Sequence, residues 1–315
     1  MFAPDKTLRR LLTELGLLRR MHLLHTALFA SALVIAGTAF AADPVEPAGP
    51  PLSAAPPRAA APRLPALPPR SAEADAATYE RCMKLAREDP AAARDVAEKW
   101  RDRGGGHPAD HCFAVALIGL GQYRPAAARL EKLAQAMVHA PAPLRSEVLG
   151  QAAQAWLLAG DPARAYAADG AALALRPADG DLRVADLLVD RAEAAGSAGW
   201  FDKALADLDR VLKVDPARLD ALIYRASAYR ALGRLDPALA EIDKALNLAP
   251  DSAPALLERG NIRRLRGNTD GARRDWARVT VLAPGSAAEA AAKANIEVLD
   301  AKSDPAPPAK PAGER

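Results

Sequence analysis

Four residues in the first half of the chain have side chains that can bind metal or form a covalent bridge. Cys82 and Cys112 are the only cysteines, and His107 and His111 precede Cys112 closely. Thiolate sulfur and imidazole nitrogen are preferred ligands of Zn²⁺, so these four side chains allow a metal- or haem-handling chaperone. In an oxidising compartment the two thiols would instead form one disulfide. The outcome depends on the elements that position them.

Three arginines recur at intervals of 34 residues and form a second set with potential chemistry. A regular row of guanidinium groups can bind a polyanion. Three acidic residues recur with the same spacing, however, and arginine is well suited to partly buried, bidentate pairing with carboxylates. We therefore favour internal ion pairs over an anion site. The expected pairs are Arg191 with Asp207, Arg225 with Glu241, and Arg259 with Asp275.

Enzyme motifs are absent from the sequence. It contains no G-x-S-x-G, no glycine-rich phosphate-binding loop before a lysine and no H-E-x-x-H. Its many carboxylates recur on periodic helix faces, where solvated charge is usual. The sequence thus predicts a protein that is not an enzyme and that needs no cofactor.

Composition and charge favour packed helices and exclude one class of partner. Half of the residues are apolar but only 4% are aromatic, as expected for closely packed helices rich in alanine and leucine. The formal net charge of +3 is carried by residues 1–41, and the remaining basic and acidic residues balance. Because a nucleic-acid-binding protein needs a basic surface, no nucleic-acid partner is expected.

The amino-terminal residues have the pattern of an export signal. Basic residues up to Arg20 precede an apolar run from about Ala27 to Gly37, and the sequence Ala39-Phe40-Ala41 follows. The run is shorter than the ~20 residues that cross a bilayer. We predict a signal peptide over 1–41, cleavage before Ala42 and a periplasmic protein without a stable membrane span. An uncleaved anchor, or a buried helix, is the alternative.

Proline-rich segments flank the central part of the chain. Ten prolines lie between residues 43 and 70, and proline both lacks the amide donor and disfavours helix and sheet. The composition predicts a disordered linker over 42–72 and a disordered tail over 304–315.

The central part is repetitive. Pro216, Pro250 and Pro284 are 34 residues apart, and counting back from each gives frames that begin at 185, 219 and 253. Equivalent positions hold similar residues: small at position 8 (Ala192, Ala226, Gly260), glycine at 15 (Gly199, Gly233, Gly267), alanine at 20 (Ala204, Ala238, Ala272) and large at 24 (Leu208, Ile242, Trp276).

This pattern resembles the tetratricopeptide repeat, a 34-residue unit of two antiparallel helices. The resemblance implies an all-α fold, an α-solenoid of five to six helix hairpins over 73–303 with a capping helix at 286–301. The clearest units are 146–177, 185–216, 219–250 and 253–284, and less regular units begin near His107 and near residue 74. The unit at 146–177 departs from the pattern at Asp169-Gly170, and about five inserted residues follow it at 178–181.

The repeat frame brings the two cysteines together. Cys82 falls on the first helix of one unit and Cys112 on that of the next, about one helical turn apart, so their Cα atoms can approach bridging distance. The frame therefore favours a Cys82–Cys112 disulfide over a metal site.

In the tetratricopeptide family, first-helix side chains line a concave groove that binds partners. The resemblance places eight residues there: Val189, Glu193, Ile223, Ser227, Arg230, Leu257, Asn261 and Arg264. We expect an open surface at Ile223 and Leu257 that holds a protein or peptide.

The expected function is a periplasmic scaffold or adaptor in envelope, pilus or secretion assembly. Two alternatives stay open: the metal- or haem-handling chaperone, and an accessory protein of enzymes that act on cell-wall polymer.

Overall fold

The computed structural model describes residues 72–176 and 182–303, and all regular structure within them is α-helical. The predicted signal peptide, nearly all of the linker, the tail and the insertion at 178–181 lie outside the described residues. The described helices are α1 (Ala72–Glu88), α2 (Pro90–Asp102), α3 (Gly106–Gly119), α4 (Tyr123–Ala136), α5 (Ala142–Leu158), α6 (Pro162–Ala174), α7 (Leu182–Ser197), α8 (Phe201–Val214), α9 (Leu219–Ala231), α10 (Leu235–Leu248), α11 (Ala253–Leu265), α12 (Thr269–Leu282) and α13 (Ala287–Ser303).

Consecutive helices pair into six hairpins, from α1–α2 to α11–α12, and α13 packs on the last of them. The second helix of each hairpin also contacts the first helix of the next, so the hairpins form one stack. Most successive first helices touch each other as well, which identifies their side of the stack as the inner side. We call the surface formed by α1, α3, α5, α7, α9, α11 and α13 the inner face. The predicted all-α solenoid with its capping helix is confirmed.

Glycines set the turn within each regular hairpin. Gly199, Gly233 and Gly267 have φ values of 76°, 72° and 80°, a left-handed conformation that residues with a Cβ rarely adopt. The amide after the glycine then returns to the first helix, as when Arg234 N donates to the Tyr229 carbonyl at 2.8 Å. This closure satisfies a free carbonyl at the helix end and turns the chain into the second helix.

Small residues allow the two helices of a hairpin to cross closely. Ala226 and Ala238 are fully buried at positions 8 and 20 of one hairpin, and Ile242 packs in the same core. In the last hairpin the large residue is Trp276 and position 8 is Gly260. A Cβ on Gly260 would lie 2.4 Å from Trp276 Nε1, so the indole fills the space that a methyl group occupies in the other units.

Helix α13 begins like the first helix of a further repeat. Ser286 Oγ accepts a hydrogen bond from Glu289 N (3.1 Å), and the Glu289 carboxylate accepts one from Gly285 N (2.6 Å). This arrangement is a variant of the capping box, in which Glu289 binds the amide of the residue before the cap and not that of Ser286 itself. One face of α13 buries Ala292 and Leu299 against the stack, and its opposite face is polar and exposed, with Lys293 and Glu297.

Two helices begin earlier than the repeat frame predicts. Helix α5 starts at Ala142 and not at 146, because Pro143 in its first turn needs no amide partner. Helix α7 starts at Leu182 and not at 185. In the added turn Arg183 lies 3.4 Å from Glu147 and 3.9 Å from Asp186, which ties α7 to α5.

Candidate functional site

Side-chain hydrogen bonds join the last three first helices across the inner face. Arg230 Nε on α9 donates to Glu258 Oε1 on α11 at 2.5 Å, and Asn261 Nδ2 donates to Glu258 Oε2 at 3.4 Å. Asn295 Nδ2 on α13 donates to Asn261 Oδ1 at 3.0 Å. Burial raises the pKa of the Glu258 carboxyl, although Arg230 acts in the opposite direction. These contacts fix the register of α9, α11 and α13.

A similar chain joins the first helices at the amino-terminal end. Tyr79 Oη on α1 lies 2.9 Å from His111 Nδ1 on α3, and His111 Nε2 lies 2.8 Å from Gln151 Oε1 on α5. Burial lowers the pKa of the His111 imidazole, so the ring is neutral near pH 7. Gln151 Nε2 is buried without a hydrogen-bond partner in the part of the chain that the structure describes.

The middle of the inner face is joined by one further contact. Tyr224 on α9 hydrogen-bonds with Glu193 on α7. Burial is the main cause that raises the pKa of the tyrosine hydroxyl, and the Glu193 carboxylate raises it further. Polar side chains therefore connect neighbouring first helices along most of the stack, and they use several residues that the sequence assigned to partner binding.

The predicted groove is only partly open. The structure buries four of its eight residues, Val189, Glu193, Leu257 and Asn261, at exposures of 2%, 8%, 6% and 8%. The expectation of an open surface at Leu257 is thus wrong. Neighbouring first helices approach closely enough to cover these side chains, and α13 covers the last unit.

The other four groove residues differ in their accessibility. Ile223 and Ser227 are half-buried on α9, and Arg264 on α11 is exposed. Arg230 is held by Glu258 and also lies 3.3 Å from Ser227 Oγ. The accessible part of the predicted groove therefore centres on α9 and the end of α11.

The recurring arginines all contact the carboxylates that the sequence paired with them. Arg191 donates to both oxygens of Asp207 at 2.6 and 2.8 Å. Arg259 does the same to Asp275 at 2.8 and 3.0 Å.

The third pair differs in detail. Arg225 donates twice to one oxygen of Glu241, at 2.6 and 3.2 Å, and its Nη1 donates to Asp209 at 2.8 Å. Each arginine thus links the two helices of its own hairpin, and an open row of cations for a polyanion is not formed.

The four residues that suggested a metal or haem site do not form a ligand set. Cys82 and Cys112 are bonded in a disulfide, with Cα atoms 6.2 Å apart. Both ring nitrogens of His111 face other side chains, Tyr79 and Gln151, and His107 is exposed. Within 72–176 and 182–303 no group of three His, Cys, Asp or Glu residues is placed to bind a metal ion. The metal-site hypothesis is therefore wrong for these residues.

Sequence reasoning missed a chain of ion pairs along the edge where α5, α7 and α9 begin. Arg176 lies 2.9 Å from Glu147, and Arg183 lies near both Glu147 and Asp186. Arg218 then bridges Asp186 at 3.0 Å and Asp220 at 2.6 Å. Five of these six side chains are less than one-third exposed, so the chain braces three successive repeats. The signal was present as alternating charges, but their pairing depends on the stacking geometry.

Comparisons with known proteins agree with this architecture. Residues 197–275 match a family model of the tetratricopeptide repeat. A tetratricopeptide repeat protein from Parabacteroides merdae superposes with a TM-score of 0.60 at 14% identity, over 72% of this chain and 88% of that chain. This likeness shows a common fold. No curated protein matches the chain.

Other solved structures share shorter or looser similarity. MamA from Desulfovibrio magneticus has a TM-score of 0.45 at 20% identity, over 59% of this chain and 94% of its own. YrrB, a tetratricopeptide protein with an unusual peptide-binding site, has a TM-score of 0.44 at 16% identity, over 64% of this chain and 96% of its own.

Among the described helices none combines the length and apolar character needed to cross a bilayer.

Proposed function

Because this chain has the fold of a tetratricopeptide repeat protein and its residues 197–275 match a model of that repeat, we propose that it is a non-catalytic scaffold that binds a protein partner on its inner face. The observation that carries the proposal is the accessible surface around Ile223, Ser227 and Arg264, flanked by the bonded side chains of α7, α9 and α11. Apolar, hydroxyl and cationic groups on one face suit an extended or helical peptide.

The bonded side chains of the inner face favour binding because they hold it rigid. Arg230, Glu258 and Asn261 are fixed by one another, so a partner would not have to order them. Preorganised surfaces lose less conformational entropy on binding, which raises affinity for a given contact area.

Photo-crosslinking in the cell of origin tests the proposal directly. A benzoylphenylalanine at Ile223 should give discrete crosslinked species, whereas the same group at Val214, which is 60% exposed at the end of α8, should not. Ile223→Glu should remove the partner from the purified protein, and Val214→Glu should retain it. Equal crosslinking at both positions, or unchanged capture by Ile223→Glu, would show that the inner face is not the binding surface.

We also propose that the protein acts in the periplasm, in envelope, pilus or secretion assembly. The support is the sequence pattern of residues 1–41 alone. Amino-terminal sequencing of the periplasmic form should begin at or near Ala42. A form that begins at Met1 or Met21 would contradict export by cleavage.

A further inference from the structure

The first hairpin, α1–α2, has a smaller apolar core than the hairpins that follow it. Within the described residues every later hairpin contains at least one Leu or Trp side chain that is at most 1% exposed. In α1–α2 only Cys82, Ala93 and Ala97 are buried to this degree, and the larger Met83 and Trp100 are 7% and 5% exposed. The cysteine therefore occupies the place that a large apolar side chain has in the other hairpins.

The bridge from Cys82 to Cys112 joins α1 directly to α3 and closes a loop of 30 residues that includes α2. Both cysteines are 0% exposed. Five of the eleven buried residues in the surrounding cluster are alanines, which bury little apolar area each. The covalent bond thus supplies an attachment that packing provides only in part.

The position of α1–α2 at the end of the described stack makes this attachment decisive. A central hairpin packs between two neighbours, whereas α1 and α2 pack on one neighbour, through α3. A terminal unit of a repeat stack can detach without unfolding the units behind it, because it shares a single interface with them. Loss of the bridge should therefore have a local effect.

We propose that the Cys82–Cys112 bridge is a redox-sensitive latch that holds α1–α2 on the stack. In the oxidised protein all six hairpins are docked. Reduction releases α1–α2, and the inner face then begins at α3. The latch is independent of the partner surface proposed around Ile223, which lies on α9.

The latch opens by thiol–disulfide exchange with a dithiol. One thiolate of the dithiol attacks a sulfur of the bridge to form a mixed disulfide, and the second thiol then displaces the cysteine. Two electrons and two protons pass from the dithiol to the bridge, so Cys82 and Cys112 become thiols and the reagent becomes a disulfide. Because both cysteines are buried, the thiolate reaches them only when α1 moves away from α3.

Hydrogen exchange on the full chain, before and after reduction with dithiothreitol, tests the latch. Reduction should lower amide protection in α1 and α2 by about a hundredfold, the effect expected when a bridge across 30 residues is lost. Protection in α7 to α12 should not change. The double variant Cys82→Ala/Cys112→Ala should show the reduced pattern without dithiothreitol. Full protection of α1–α2 in the reduced protein, or an equal loss from α1 to α12, would overturn the proposal.

Two control variants separate the bridge from other contacts. Tyr79→Phe removes the hydrogen bond between α1 and His111 but keeps the bridge, so α1–α2 should stay protected until dithiothreitol is added. Ile223→Glu should respond to reduction like the wild type. Undocking by Tyr79→Phe alone would assign the attachment to the hydrogen bond and contradict the latch.

The rate of reduction gives an independent measurement. Since opening must precede attack, dithiothreitol should reduce the bridge at least about tenfold more slowly in native buffer than in concentrated urea. Equal rates would show that the sulfur atoms are accessible in the folded protein, and would overturn a latch that opens by undocking.

Discussion

Asp169 occupies a core position where the regular repeats carry a large apolar side chain. It is 1% exposed, and its Oδ1 atom has no hydrogen-bond partner within the described residues. Burial raises the pKa of this carboxyl well above its usual range, and Asp190, Glu193 and Asp207 act in the same direction. Arg191 opposes the shift, but it is held by Asp207. The proton on Asp169 is therefore retained at higher pH than on an exposed aspartate.

The raised pKa of Asp169 predicts a pH-dependent stability. The folded state binds this proton more tightly than the unfolded state, so the carboxyl's contribution to stability is fully present below its unfolded pKa. That contribution is lost as the pH rises through the folded pKa. Asp169→Asn should remove this loss. In urea unfolding, the stability of the variant relative to the wild type should therefore increase from pH 4 to pH 8. Parallel curves for both proteins would mean that folding does not raise the pKa of Asp169.

Replacing the carboxyl with an isosteric apolar group tests its cost directly. Asp169→Leu restores the residue type of the other repeats and removes an unpaired buried acceptor, which typically costs about 1–3 kcal/mol. The free energy of unfolding should rise by an amount in that range at pH 7. A loss of stability would indicate that the site is too small for leucine or that Asp169 has an essential partner.

Residue-level features were predictable where both partners belong to one hairpin. The contacts of Arg191, Arg225 and Arg259 were predicted because acidic residues recur with the same 34-residue spacing as the arginines. The burial of Val189 and Leu257 did not, because it depends on how closely the next first helix approaches. Asp169 was visible only as a departure from the repeat pattern, since its surroundings come from three helices.

The side chains at the crossing point of each hairpin are matched in size. Ala192 is paired with Leu208 and Ala226 with Ile242, whereas the last hairpin combines Gly260 with the larger Trp276. The indole reaches across the first helix, and its Nε1 donates to the Leu257 carbonyl at 3.3 Å. The glycine is thus required by a specific neighbour, even though glycine disfavours a helix by about 1 kcal/mol relative to alanine.

Gly260→Ala should destabilise the protein although alanine is the better helix former. The added methyl group would overlap the indole ring, and overpacking typically costs about 1–3 kcal/mol. Gly150→Ala is the matched control, because its methyl group would meet only the flexible end of Leu187, at 3.1 Å. Trp276→Leu should rescue Gly260→Ala in thermal unfolding, since it recreates the pairing of the other hairpins. Additive losses in the double variant would contradict direct overlap.

Element boundaries were predictable from glycine and proline, and the exceptions have local causes. The turns at Gly199, Gly233 and Gly267 lie where the repeat frame placed them. The early starts of α5 and α7 were not predicted. The repeat frame predicts positions within each 34-residue unit, and these added turns lie in the connections between units. There the helix starts are stabilised locally, by Pro143 in α5 and by the ion pairs of Arg183 in α7.

At the scale of the molecule the core is divided among neighbouring hairpins. One cluster of buried apolar residues extends from α7 to α13, a second centres on α4 to α6, and a third surrounds the Cys82–Cys112 disulfide. Tyr166 on α6 packs against both of the first two clusters. Because each hairpin contacts mainly its neighbours, its stability depends on its own core and on the adjacent interfaces. The 34-residue period was enough to predict a solenoid, because each repeat packs mainly against the next one along the chain.

This division predicts that loosening the cap will weaken the stack locally. Ala292 is fully buried on α13, and Ala294 is exposed on the same helix. Ala292→Asp places a charge in the apolar interface and should undock α13, whereas Ala294→Asp should have little effect. Hydrogen exchange should then show the greatest loss of protection in α11 and α12, a smaller loss in α9 and α10, and almost none near the Cys82–Cys112 disulfide. The gradient arises because the cap stabilises distant repeats only through the interfaces between them. A uniform loss from α1 to α12 would instead mean that the whole stack unfolds as one cooperative unit.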